Sequence, residues 1–187
     1  MPAVLPPTPS QTVGPFYGYA LPFAGGGDIA PAGHPDTVTV HGHVTDGNGD
    51  PIPDAVIETW QAAPDGSLAG RPGSLRRDPV TGGFLGRNGV DFTGFGRVAT
   101  DADGHWAVRT LTPPDSVPYL AVCVFARGLM HHLATRAYFT DDITAGPLAD
   151  LPAARRATLL AVAESDGLRR FDIRVQGERE TVFLDFR

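Results

Sequence analysis

A single cysteine among 187 residues excludes an intrachain disulfide framework. Cys123 lies in the apolar run YLAVCVFA, where a thiol is expected to be a small, buried and unactivated hydrophobe. Long hydrophobic runs are also missing. Nothing approaches the ~18 consecutive apolar residues of a membrane span, and MPAVLPPTPS has neither the basic n-region nor the apolar h-region of an export signal. The expected compartment is the cytoplasm. Basic runs are absent: 15 Lys and Arg against 21 Asp and Glu leave a net charge of −6, with no cluster to neutralise phosphates, so nucleic acid and anionic membranes are excluded as partners. Charge of either sign is scarce, at 19% against a usual ~25%. A surface partly covered in an assembly has this composition. No GxSxG elbow is present, so a serine-hydrolase reading has no nucleophile.

What the chain does have is β-strand patterning. TVTVHGHVT (Thr37 to Thr45) alternates with period two between HPD and the turn-rich DGNGDPIPD, which reads as strand, tight turn, then a second strand AVIETWQA. GRVATD and HWAVRTL flank a hairpin-type turn DADG, and YLAVCVFA, LATRAYF, FDIRVQG and TVFLDF continue the pattern to about eight strands. The one good helix candidate is DLPAARRATLLAV. Asp150 is its expected N-cap, Pro152 falls in its first turn, and Leu151, Leu159 and Leu160 share a face. Many short strands with a single late helix predict an all-β antiparallel sandwich, since no helices are available to cover a parallel sheet. We read one domain over residues 1–187, with 1–36 as an extended N-terminal arm. The stretch Ala63 to Phe95 is too long for a hairpin loop and is expected to be functional or to lie against a partner.

Four features could carry chemistry. His41 and His43 point to one face of a strand and could share a metal, or could be two hydrogen-bonded imidazoles on a sheet face. His131 and His132 are adjacent, so in extended chain they face opposite ways and cannot serve one site. Arg127, in VFARG, places a guanidinium where the chain leaves a strand; it is a ligand group or a solvated rim charge. TPSQTVGPFY is stiff and uncharged: Pro9 and Pro15 lack N–H groups and bias the residues before them toward extended backbone, so something else must hold the segment.

TPSQTVGPFY, IETWQAAPDG and GFGRVATDADGHWAVRTLTP, followed in order by VFARG, TRAYF and FDIRVQGERETVFLDF, resemble the intradiol ring-cleavage dioxygenases from about Thr8 to Phe186. The resemblance implies a β-sandwich. Family members that perform the chemistry hold a non-haem ferric ion with two tyrosines and two histidines, and this hard ion favours phenolate oxygen. This chain departs from that pattern at each ligand. Where iron-binding chains read approximately WQANAAGRY, it reads WQAAPDGSL, with Leu68 at the tyrosine. Where they carry the second tyrosine and then AHIHF, it passes from TLTPP through Asp115 and Ser116 to VPYLAV, with Tyr119 and Ala121 at the histidine positions.

The resemblance therefore implies the metal-free subunit of a two-chain family member. A homologous partner chain would hold Fe(III), bind 3,4-dihydroxybenzoate and cleave its ring with dioxygen to a carboxymuconate. On this likeness the present chain holds no metal and lends Thr12, Gly14, Pro15, Phe16 and Arg127 to the wall of the partner's pocket. Phe16 stands where relatives often have tyrosine. Two other readings are a non-enzymatic transthyretin-like binding module and a self-sufficient metalloenzyme built on His41 and His43.

Overall fold

The computed structural model describes residues 9, 12, 14, 17–68, 75–143 and 148–186. Two sheets face each other. In the first, β1 (Thr37–Thr45) is central, and β6 (His105–Leu111) pairs antiparallel along one edge. Along the other edge β10 (Leu168–Arg170) and then β11 (Ile173–Arg174) run parallel to β1, with β9 (Val162–Ser165) outside β10. The second sheet is wholly antiparallel in the order β5 (Phe95–Ala99), β2 (Val56–Trp60), β7 (Tyr119–Phe125), β8 (Leu133–Tyr138). The expected all-β sandwich is present, with one sheet mixed because the C-terminal chain returns beside β1 in the same direction.

Period-two burial builds the core. Val40 and Val44 of β1, Trp106 and Val108 of β6, Ile57 of β2, and Leu120, Val122 and Val124 of β7 meet between the sheets with Phe171 and Ile173. Burying each such side chain contributes roughly 1.5–3 kcal/mol. A second cluster of Tyr138, Ile143, Leu148, Leu159 and Val182 covers one end.

Neither expected tight turn folds the chain back onto the same sheet. The turn after β1 and the turn after β5 each carry the chain to the opposite sheet, because β2 pairs edge to edge with β5 and β7 in one sheet and β6 with β1 in the other. One hydroxyl ties the two crossings together: Thr100 Oγ1 donates to the Ile52 carbonyl at 2.8 Å and accepts from the Ala55 N–H at 2.9 Å. The long stretch Ala63 to Phe95 holds a hairpin of its own, β3 (Leu75–Arg77) with β4 (Phe84–Arg87). TVFLDF is not a strand; its one ladder contact is a bridge from Leu184 to Ala134.

The late helix is shorter than expected. α2 (Ala153–Arg156) starts after Pro152, which is itself the N-cap with no side-chain cap, so Asp150 does not cap it. It tightens into a 3₁₀ turn, Ala157–Leu159, because Leu159 is drawn into the second cluster and Leu160 bridges Tyr138. A one-turn helix, α1 (Tyr17–Ala20), precedes the first strand. No helix among the described residues is long and apolar enough to cross a membrane.

The N-terminal residues close one side of the sandwich through a glycine run. The Gly26 carbonyl accepts from the Arg97 N–H, and the Ile29 N–H donates to the Arg109 carbonyl at 2.8 Å, so the segment stitches β5 to β6. At Gly26 a Cβ would lie 2.1 Å from the Arg97 carbonyl oxygen. Arg87 clamps the same place, donating to the carbonyls of Gly25, Gly26 and Phe95. Burial pushes its guanidinium down from its ordinary value, which Asp28 opposes.

The glycine between the two strand histidines has a purely structural reason. A Cβ at position 42 would stand 1.9 Å from the carbonyl oxygen of Phe171, whose N–H donates to the His41 carbonyl at 2.7 Å. The obstacle is backbone and cannot rotate away. Gly42→Ala is expected to cost at least about 3 kcal/mol, lowering Tm by roughly 6–12 °C at this chain length. Thermal melting by circular dichroism checks this, and a Tm within 2 °C of wild type would show that the C-terminal return does not depend on this approach.

Candidate functional site

Strand β7 ends at Phe125, and the buried Ala126 begins a tight turn closed by the Leu129 N–H on the Ala126 carbonyl. Gly128 takes the left-handed conformation this turn needs, with φ of 87°. Arg127 is thereby held at the turn's outer corner, its side chain 57% exposed. Its Nε lies 2.9 Å from Asp54 Oδ2, on the turn that leads into β2.

The N-terminal segment comes to this same corner. Thr12 Oγ1 accepts a hydrogen bond from the Gly128 N–H at 3.2 Å. The Tyr17 N–H reaches back to the Gly14 carbonyl, and Gly18 packs against the Asp54 backbone. Tyr17 is buried beside Asp54; its hydroxyl and Asp54 Oδ1 are both buried, and neither makes a hydrogen bond of good geometry among the described residues, the Arg127 backbone amide being the phenol's one weak polar neighbour. Burial pushes the Tyr17 phenol up from its ordinary value and the Asp54 carboxylate adds to this, while the Arg127 backbone amide and guanidinium pull the other way. Thr12 and Gly14 are exposed. Pro15 and Phe16 lie outside the described residues.

Sequence reasoning named Thr12, Gly14 and Arg127 but missed Tyr17 and Asp54. Tyr17 closes the quoted TPSQTVGPFY stretch, and Asp54 sits in the turn residues PIPD; neither type nor spacing announced that they would meet. The cluster presents one guanidinium, part-neutralised by Asp54 and with no further partner for its Nη groups among the described residues, beside the uncharged Thr12 and Gly14. It can receive an anion, and it contains no nucleophile.

The positions at which the resemblance implies iron ligands do not fit a ferric ion here. Leu68 and Ala121 have no donor atom, and Leu68 is 60% exposed. Tyr119 lies on the outer face of β7, its ring 5.1 Å from that of Tyr138 and beneath the Arg136 guanidinium at 4.3 Å. His41 and His43 also point outward, into a hydrogen-bonded set. His41 Nδ1 is 3.3 Å from His105 Nε2, His41 Nε2 is 2.9 Å from Glu164 Oε2, and His43 faces Asp172 at 3.7 Å. Among the described residues no group of three or more His, Cys, Asp or Glu side chains is arranged to hold a metal. His132 packs its ring against Phe125 at 5.5 Å.

Cys123 departs from expectation in place, though not in chemistry. It alternates outward with Tyr119 and Ala121 and is half-buried rather than in the core. Burial, and then Glu58, push its thiol up, so it stays unactivated.

The orphaned hydroxyl of Tyr17 gives a test of the cluster's packing. Tyr17→Phe removes a buried group without a partner, so stability at pH 7 is expected to be unchanged or slightly higher. The raised phenol makes the sign at high pH definite: the stability tied to a neutral Tyr17 is complete below the unfolded value of ~10 and is lost as pH rises toward the folded value. Wild type should therefore fall relative to Tyr17→Phe above about pH 10. Paired denaturant titrations at pH 8 and above pH 10 check this, and parallel curves would place Tyr17 in water.

A family model described as Dioxygenase matches residues 14–121, more than half of the chain. The chain is 40% identical over 202 residues to a protocatechuate 3,4-dioxygenase alpha chain from Burkholderia cepacia, covering 95% of this chain and 96% of that one. It is 36% identical over 211 residues to the protein of the same name from Pseudomonas putida, covering 98% of each. Among solved structures, the dioxygenase domain of a dioxygenase and carbohydrate-binding fusion from Streptomyces sp. SirexAA-E superposes with a TM-score of 0.53 over 94% of both chains at 20% identity, which speaks to the fold alone. Family match and near full-length identity agree with the strand order and the ordered motifs, and the chain belongs to the intradiol dioxygenases, within the group of protocatechuate 3,4-dioxygenase alpha chains.

Proposed function

We propose that this chain is the alpha subunit of a protocatechuate 3,4-dioxygenase and completes the pocket of a homologous iron-bearing beta chain. The pair cleaves 3,4-dihydroxybenzoate between its hydroxyl-bearing carbons with dioxygen, giving 3-carboxy-cis,cis-muconate. The observation that carries this reading is the hydrogen bond from the Gly128 N–H to Thr12 Oγ1, which fixes the N-terminal segment beside Arg127. Ferric iron belongs to the partner, since Leu68, Tyr119 and Ala121 do not supply its ligands. A non-enzymatic transthyretin-like module is not favoured, because matches of 36–40% identity run through nearly the whole chain.

This chain's own part is binding and exclusion. Arg127 gives hydrogen bonds to an anionic substrate or product through a planar fork. Asp54 fixes that guanidinium through Nε and leaves the Nη groups to the ligand. Thr12 and Gly14, with Pro15 and Phe16, wall the slot and keep water out. Residues 1–187 act as one unit with 1–36 as the arm that reaches the partner. The low charged fraction and the apolar residues exposed around the β3–β4 hairpin, Val80, Leu85 and Val90, fit burial against that partner. A single cysteine outside any bridge fits the cytoplasm.

The chain alone is expected to be colourless, iron-free and inactive, and active once co-assembled with a beta-type chain; iron-dependent ring cleavage by the chain alone would overturn the assignment. Within the pair, Arg127→Ala is expected to lower kcat/KM about 10- to 150-fold, the equivalent of a hydrogen bond to a charged group at roughly 1.5–3 kcal/mol. Arg127→Lys should restore part of this, and Arg179→Ala, on the turn after β11, should stay near wild type. Wild-type kinetics for Arg127→Ala in an assembled, iron-loaded pair would reduce Arg127 to a solvated rim charge.

A further inference from the structure

The chain has two asparagines, Asn48 and Asn88, and both stand directly before glycine. Glycine carries no Cβ to shield its backbone nitrogen, so an Asn–Gly bond is where a thermolabile carboxamide is most open to attack from its own chain. The structure treats the two bonds differently.

Asn88 is locked. Its Oδ1 accepts from the Val90 N–H at 2.9 Å and the Asp91 N–H at 3.1 Å, and its Nδ2 donates to Asp91 Oδ2 at 2.7 Å. Asn48 is exposed at the tip of the turn between β1 and β2, and its carboxamide has no hydrogen-bond partner among the described residues. Backbone groups hold that turn instead: Asp46 Oδ1 accepts from the Asn48 N–H at 2.8 Å and the Asp50 N–H at 2.9 Å, and the Gly49 N–H donates to the Asp46 carbonyl at 3.2 Å. A Cβ at Gly49 would meet nothing within 4 Å, so the tip has room for a ring to close. Three bonds must break before the Asn88 carboxamide can turn onto its glycine, against the one long Gly49 bond at Asn48.

We propose that Asn48–Gly49 is a site of spontaneous deamidation that loosens the crossing from β1 to β2, and that Asn88–Gly89 is protected from the same reaction. The Gly49 nitrogen loses its proton and bonds to Asn48 Cγ, the Cγ–Nδ2 bond breaks, and the amide nitrogen leaves as ammonia. Water, the one co-reactant, then opens the succinimide at either carbonyl and leaves an aspartyl or an isoaspartyl residue. The isoaspartyl form adds a methylene to the main chain inside the turn, where the Gly47 carbonyl accepts from Arg174 Nη2 of β11. That bond ties the turn to the C-terminal return, and a longer backbone displaces it. The inference needs neither iron nor a partner chain and stands apart from the proposed pairing.

Peptide mapping by mass spectrometry follows the reaction in the full chain held in warm, mildly alkaline buffer. The Asn48 peptide should gain the amide-to-acid mass difference and split chromatographically into two products. It should do so about 5- to 150-fold faster than the Asn88 peptide, the equivalent of two hydrogen bonds. In the urea-unfolded chain the two rates should converge. Asp91→Ala, which removes one bond from Asn88, should speed that site about 2- to 10-fold. Aged wild type should melt below Asn48→Asp, which carries the new charge without the longer backbone. The proposal is overturned by equal rates in the folded chain, by an intact Asn48 after the urea-unfolded chain has converted, or by aged wild type melting together with Asn48→Asp.

Discussion

The two-residue period of β7 governs most of what this molecule presents. Its inward residues, Leu120, Val122 and Val124, are fully buried and hold the second sheet to the first. Its outward residues, Tyr119, Ala121 and Cys123, line the open face of the second sheet. Its end, through Ala126 and the Gly128 turn, sets Arg127 beside Asp54 and Thr12. A slip of one residue would exchange core for surface along the whole strand. Pairing with β2 on one side and β8 on the other fixes the register against that slip.

Around this strand the molecule keeps a dioxygenase fold with donor groups replaced. Leu68 and Ala121 offer no donor to a ferric ion, yet the pairing of β7 with β2 through Ala121 is intact, so the fold does not depend on donor groups at these positions. What the scaffold then offers is placement. The glycine run stitched between β5 and β6 anchors the residues ahead of β1, α1 seats Tyr17 against Asp54, and Thr12 accepts from the Gly128 N–H beside Arg127. Rigid anchoring of this kind suits a wall, because a group held by packing gives up little freedom when a ligand arrives.

Much of the fold was legible because strand periodicity is a local property. Thr37–Thr45 and His105–Leu111 begin and end where the alternation does. Partnership was not legible: the turns after β1 and β5 look like hairpins but cross between sheets, since turn residues specify a reversal and not the neighbour it leads to. Parallel pairing of β10 and β11 with β1 was hidden for the same reason, and only the carbonyl of Phe171 over Gly42 reveals why HGH contains a glycine. Asp150 failed as a cap because Pro152 fixed the first turn after it. In the candidate site, Arg127 and Thr12 carried a sequence signal through ordered motifs, whereas Tyr17 and Asp54 have roles that exist only after distant segments meet.

The central claim is that the Thr12 segment and the Arg127 turn form one wall facing a partner's pocket. Hydrogen–deuterium exchange compares the chain alone with the chain assembled on an iron-bearing beta-type partner. The account predicts that peptides spanning Thr12–Ala20 and Arg127–Met130 gain protection together on assembly, and gain more when 3,4-dihydroxybenzoate is added without dioxygen. Unchanged exchange in both peptides, in a pair that is assembled and active, would contradict it.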